Sequence, residues 1–129
     1  MNSPANKAAT ILVVDDDALI NMNAVDMLEQ LGHCALEAYS GKEALAILAT
    51  DRPIDLMITD YAMPGMNGVD LAHEARRLRP ALPILLATGY SELPSGAPVD
   101  LPRLAKPYQQ VDLANQLLLL LNEQAPAVS

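Results

Sequence analysis

Cysteine occurs once in this chain of 129 residues, as Cys34, which excludes an intramolecular disulfide and fits a reducing cytoplasm. Set in an apolar stretch, Cys34 is expected to be a buried, inert thiol. Basic residues are scarce: 8 Lys and Arg stand against 16 Asp and Glu, a formal charge of −8. DNA and anionic membrane surfaces both need concentrated positive charge, so nucleic acid and membrane are not expected as direct ligands. The one basic cluster, ARRLR at 75–79, is short and reads as a solvated helix face. Long apolar runs are missing as well. The longest run of leucines, 117–121, cannot span a bilayer, and the opening MNSPANKAA lacks the apolar centre of a signal peptide. A soluble, cytoplasmic protein is expected.

What is present is a packed chain. Hydrophobic residues make up 51% of it, and its length suits one domain. Small polar residues and proline mark an N-terminal tail at 1–9 and a C-terminal tail at 123–129, leaving 10–122 as the domain. ILVV at 11–14, IDLMIT at 54–59 and PILLAT at 83–88 are almost continuously apolar, as strands buried on both faces of a parallel sheet are. CALEAY at 34–39 and LPRLA at 101–105 carry charge or proline and suit sheet edges. Helices fall between them. Ile20, Ala24, Met27 and Leu31 recur at helical spacing before Gly32, Ser40 with Glu43 forms a capping box, and Leu71, Ala75 and Leu78 precede a stop at Pro80. A last helix is predicted over 111–121. Alternation of strands and helices implies a three-layer, doubly wound α/β fold with five parallel strands. The segment 89–102 holds Pro94, Gly96, Pro98 and Pro102, so its helix is expected to be short or absent.

Chemistry-bearing residues stand at the carboxyl ends of the strands. The first ends in Asp15 and Asp16, the third in Asp60, the fourth in Thr88 and the fifth in Lys106. Ligands of open α/β sheets bind at those ends, beside the switch in strand order. Asp17 reads as the N-cap of the following helix, but capping does not explain Asp15 and Asp16. Like charges so crowded repel, and a hard divalent cation such as Mg²⁺, held by carboxylates, would relieve them. His33 and His73 stand apart without partners at metal spacing and read as surface residues, which argues against zinc. Met22, Met63 and Met66 read as fillers rather than ligands.

ILVVDDD, DYAMPGMNG at 60–68, LLATG at 85–89 and KPY at 106–108 together resemble the receiver domains of two-component response regulators, over roughly 10–122. The resemblance implies the flavodoxin-like strand order 2-1-3-4-5. It implies that Asp60 accepts a phosphoryl group from the phosphohistidine of a sensor histidine kinase or histidine phosphotransfer protein. Asp16, Asp60 and the backbone carbonyl of Ala62 would hold Mg²⁺, with Asp15 acting through water. Lys106 would pair with a phosphoryl oxygen, Thr88 would hydrogen-bond the phosphorylated form, and the Lys106–Pro107 bond would be cis. By the same resemblance, Ala62 and Tyr90 would flank the path of hydrolytic water.

Departures from the pattern matter. Arg103 stands where receivers carry the aromatic that couples to the threonine, and ATGYS with a truncated fourth helix resembles receivers at the end of hybrid sensor kinases. The implied role is a switch or relay module rather than a turnover enzyme, and no output domain is expected after the last helix. A homodimer or a downstream protein is expected on the last helix, whose Leu119 and Leu120 are predicted to project outward. A Mg²⁺-dependent aspartyl-nucleophile phosphohydrolase is the alternative. Such enzymes usually place a second acid two residues after the nucleophile, where Ala62 stands. A flavin-binding relative is disfavoured because Asp15–Asp17 replace its phosphate loop.

Overall fold

The fold is described by a computed structural model over residues 8–89 and 101–124. Five strands, β1 (Thr10–Val14), β2 (Cys34–Ala38), β3 (Leu56–Asp60), β4 (Ile84–Thr88) and β5 (Arg103–Ala105), form one parallel sheet in the order 2-1-3-4-5. Four helices lie among the described residues: α1 (Ala18–Gln30), α2 (Gly41–Leu48), α3 (Gly68–Leu78) and α4 (Gln110–Gln124). The expected doubly wound arrangement is therefore observed. The short or absent helix and Tyr90 lie outside the described residues, as do most of both expected tails.

The apolar runs form the central strands because they are covered on both faces. Along β1, Leu12 and Val14 join a cluster with Ala44 and Leu48 of α2 and Leu71 and Ala75 of α3. Ile11 and Val13 alternate to the other face, against Ala24 and Leu28 of α1 and Leu113 and Leu117 of α4. β3 and β4 are buried at every residue, whereas the edge strands β2 and β5 carry exposed positions. Full burial of one such Leu or Ile stabilises by roughly 1.5–3 kcal/mol, so the two layers of clusters hold the sandwich together.

Local signals act as expected at the helix ends. The Asp17 carboxylate accepts from the N–H groups of Leu19 and Ile20 at 3.0 and 3.2 Å. Gly32, at φ 95°, closes α1 with its N–H on the Glu29 carbonyl and the His33 N–H on the Leu28 carbonyl. Ser40 Oγ accepts from Glu43 N–H, and Glu43 reaches back to the N–H of Tyr39 rather than Ser40.

Five side chains fall differently. Cys34 is exposed, because it opens an edge strand at the rim of the sheet. His33 is half-buried, with Nδ1 accepting the Ala9 N–H at 3.0 Å. Leu78 is 48% exposed, since α3 buries Leu71, Ala72 and Ala75 instead. On α4, Leu113 and Leu117 face the core with Leu120 and Leu121 packed beside them, so the outward pair is Leu118 and Leu119, not Leu119 and Leu120.

Candidate phosphoacceptor site

Parallel strands deliver their carboxyl ends to one edge of the sheet, and register brings the candidate residues level there. β1 runs on into Asp15, whose N–H donates to the Ala38 carbonyl at 3.1 Å, so the end of β2 fixes where the acidic turn begins. Asp60 is the last residue of β3 and pairs in register with Ala87 of β4. The following N–H, on Tyr61, donates to the Ala87 carbonyl at 3.0 Å. Thr88 ends β4, and its carbonyl accepts the Lys106 N–H at 2.8 Å, which brings Lys106 in from β5. The Lys106–Pro107 bond is cis, as the resemblance implied.

Gly68 explains how α3 comes so close. Its N–H donates to the Tyr61 carbonyl at 2.8 Å, and a Cβ at this position would collide with the carbonyl oxygen of Asp60 and the Leu86 side chain. No other residue lets the helix start against the back of the Asp60 peptide.

Asp15 and Asp60 are both only 4% exposed, and Asp16 is exposed. One carboxylate oxygen from each of Asp15, Asp16 and Asp60 lies within 4.8 Å of the others. The Lys106 ammonium enters this cluster, 2.6 Å from Asp60 Oδ1 and 3.6 Å from Asp15 Oδ2. Burial pushes the Asp15 carboxyl above its ordinary range, opposed by the hydrogen bond from Asp17 N–H and by Lys106, and helped by the neighbouring Asp16 and Asp17. Burial likewise raises the Tyr108 phenol, with the charges of Asp15 and Asp60 adding to it and Lys106 opposing. The donor set is all oxygen and net negative, which suits a hard divalent cation and not zinc.

Of the residues expected from sequence, the structure gathers Asp15, Asp16, Asp60 and Lys106 into one cluster. Thr88 is buried beside it and tied to Lys106 through the backbone. Ala62 lies in the exposed turn two residues beyond Asp60. Met63 is buried and Met66 packs on the core, as fillers do, but Met22 is 53% exposed on α1. His73 is exposed. One contributor was not foreseen: Asn21, on α1, is fully buried under the acidic turn. An apolar groove of about 370 Å³ also opens beside the cluster, lined by Ile20, Ala24 and Met27 of α1 and by Lys106, Pro107 and Tyr108.

Comparison with known proteins agrees with this geometry. Residues 11–99 match the response regulator receiver domain family. The chain is 33% identical over 111 residues to the response regulator receiver protein CpdR of Brucella abortus, covering 83% of this chain and 92% of that protein. It is 32% identical over 124 residues to the sensor kinase CckA of the same organism, covering 91% of this chain but 13% of the kinase. Among solved structures, a receiver domain protein from Clostridium thermocellum superposes with a TM-score of 0.80 at 31% identity, over 90% of this chain and 96% of that one. The receiver domain of the hybrid histidine kinase CckA superposes with a TM-score of 0.74 at 31% identity, over 87% and 98%.

Proposed function

The chain belongs to the response regulator receiver domain family of two-component systems, and on that premise we propose that Asp60 is its phosphoacceptor. The observation that carries this is the placement of Asp60: at a strand end, almost fully buried, 2.6 Å from the Lys106 ammonium and beside two further carboxylates. An Asp60 oxygen attacks the phosphorus of a phosphohistidine, the P–N bond breaks, and an acyl phosphate forms as the imidazole leaves. Lys106 then pairs with a phosphoryl oxygen as a point charge, and the Thr88 hydroxyl donates to another. Asp16, Asp60 and the Ala62 carbonyl would hold Mg²⁺, with Asp15 one water removed; bound there, the ion neutralises charge on the phosphoryl oxygens.

The donor is a sensor histidine kinase or a histidine phosphotransfer protein. Ala62 has no group that could protonate a leaving alcohol, which favours a switch or relay over the phosphohydrolase alternative. The exposed, unpaired Cys34 thiol supports a cytoplasmic setting. The test is intact-mass measurement after incubation with acetyl phosphate and MgCl₂. One phosphoryl group is expected on the wild type, none on Asp60→Asn, and none in EDTA. Labelling of the Asn variant, or labelling indifferent to EDTA, overturns the assignment.

A further inference from the structure

Asn21 is the fourth residue of α1 and is 0% exposed. Its Nδ2 points at three backbone carbonyls: Ala38 at 3.0 Å, Asp15 at 3.2 Å and Val13 at 3.5 Å. The amide carries two hydrogens, so the two shorter contacts are its bonds and the third is shared. The same Ala38 carbonyl accepts the Asp15 N–H. One side chain therefore ties the first turn of α1 to the ends of both β1 and β2. Its own Oδ1 is buried and meets no donor among the described residues. Turning the amide over would face that oxygen toward carbonyls, so the orientation is fixed by the partners. A buried acceptor without a donor is costly, and an apolar side chain of similar branching would avoid that cost.

The gain must lie elsewhere, and it lies at Asp15. Its carbonyl is held by Asn21, its N–H by Ala38, and its Oδ1 by the Asp17 N–H at 2.9 Å, which leaves Oδ2 directed at Lys106 and the acidic cluster. We propose that Asn21 is a positioning residue for the divalent-cation site. It holds the main chain of the acidic turn so that Asp15 and Asp16 converge on Asp60 against their mutual repulsion. This rests on the reading of the cluster as a Mg²⁺ site. Without the amide, the Asp15 carbonyl loses its donor and the turn relaxes outward, lowering the affinity for the ion before any phosphate arrives.

The test is calorimetric titration of the full chain with MgCl₂, for wild type and for Asn21→Leu, which keeps the branching at Cγ and removes the amide. Binding about tenfold weaker is expected, at the lower end of what loss of an outer-shell partner does to a metal site. The melting temperature should fall little, because the orphaned oxygen is removed along with the bonds. Phosphorylation by acetyl phosphate should recover at saturating Mg²⁺, a split that general loosening of the fold would not give. A folded Asn21→Leu with unchanged Mg²⁺ affinity overturns the proposal. If that variant does not fold, the side-chain NH₂ signal of Asn21 in ¹⁵N-labelled wild type decides. It should shift as MgCl₂ is added, and an unmoved signal overturns the proposal. Wild type that binds no Mg²⁺ overturns the metal reading itself, and this inference with it.

Discussion

At the residue scale the chain accepts electrostatic cost where its chemistry needs charge. Asp15 sits desolvated next to two other aspartates, and its carboxyl is held above the ordinary value near 3.8. A carboxyl raised in the folded state binds protons more tightly there than in the unfolded chain. Its contribution is therefore unfavourable at neutral pH and fades as pH falls toward the ordinary value. Removing the charge should help: Asp15→Asn, melted at neutral pH in EDTA, is expected to gain about 3–6 °C, the shift that roughly 1 kcal/mol gives at this size. A lower melting temperature than wild type would show that Lys106 compensates Asp15 more than burial penalises it. His33 has the opposite slope. Burial lowers its pKa below 6.5, against the pull of Asp55, and its neutral Nδ1 accepts the Ala9 N–H. Protonation removes that acceptor, so its share of stability is complete above about pH 6.5 and is lost as pH falls below it. His33→Gln should flatten the melting temperature between pH 7.5 and 5.5; an unchanged slope would assign the dependence to other groups.

At the scale of elements, two helices each leave more than one large apolar side chain in solvent. Leu19 and Met22 of α1 are 64% and 53% exposed, one turn apart, and each precedes in sequence a residue, Ile20 or Asn23, that lines the groove with Lys106. With Asp60 as the proposed acceptor, a phosphohistidine would have to come within bonding distance of it, so the protein carrying it would rest on a surface that borders the site. Leu19→Glu with Met22→Glu should slow transfer from a phosphorylated kinase at least tenfold, or about 1.4 kcal/mol in transition-state binding, with labelling by acetyl phosphate unchanged. Val111, Leu118 and Leu119 of α4, which packs into the same core cluster as α1, are 59%, 47% and 58% exposed. Leu118→Glu with Leu119→Glu should leave both transfers intact and weaken self-association or output docking, read by ultracentrifugation. If the α4 pair slows kinase transfer and the α1 pair does not, the faces are assigned the wrong way round. The central strands were legible because double burial forces an unbroken apolar run, and the edges because charge and proline cannot sit inside a sheet. Periodicity gave the helices but not their phase on α4, where five consecutive leucines suit several faces equally. The clustering of Asp15, Asp16, Asp60 and Lys106, with Thr88 beside it, was legible because each lies at or just beyond the carboxyl end of a strand. Asn21 was not, because a polar residue on a helix looks solvated and its partners are backbone carbonyls that leave no mark in sequence.

At the scale of the whole molecule, the formal charge of −8 and the acidic cluster act together. Three carboxylates against one ammonium leave the cluster with two net negative charges, the charge that one divalent cation cancels. Simple salt also steadies an acidic protein by screening, with a Debye length of about 10 Å at 0.1 M, so a rise in stability with MgCl₂ alone proves little. The discriminating comparison holds ionic strength constant. An ion bound only by the folded state adds RT ln(1 + [Mg²⁺]/Kd), about 2.7 kcal/mol at a hundredfold excess over Kd. For a chain of this length that is a rise of roughly 8–16 °C in melting temperature, growing with the logarithm of concentration instead of levelling off as screening does. MgCl₂ should therefore raise the wild-type melting temperature well beyond NaCl of equal ionic strength. In Asp16→Asn most of that excess should vanish, because the exposed Asp16 takes little part in packing and its loss touches the site alone. Equal shifts in the two salts, or an excess that survives in Asp16→Asn, would mean that the aspartates do not form the cation site and that the stabilisation is screening of the whole surface.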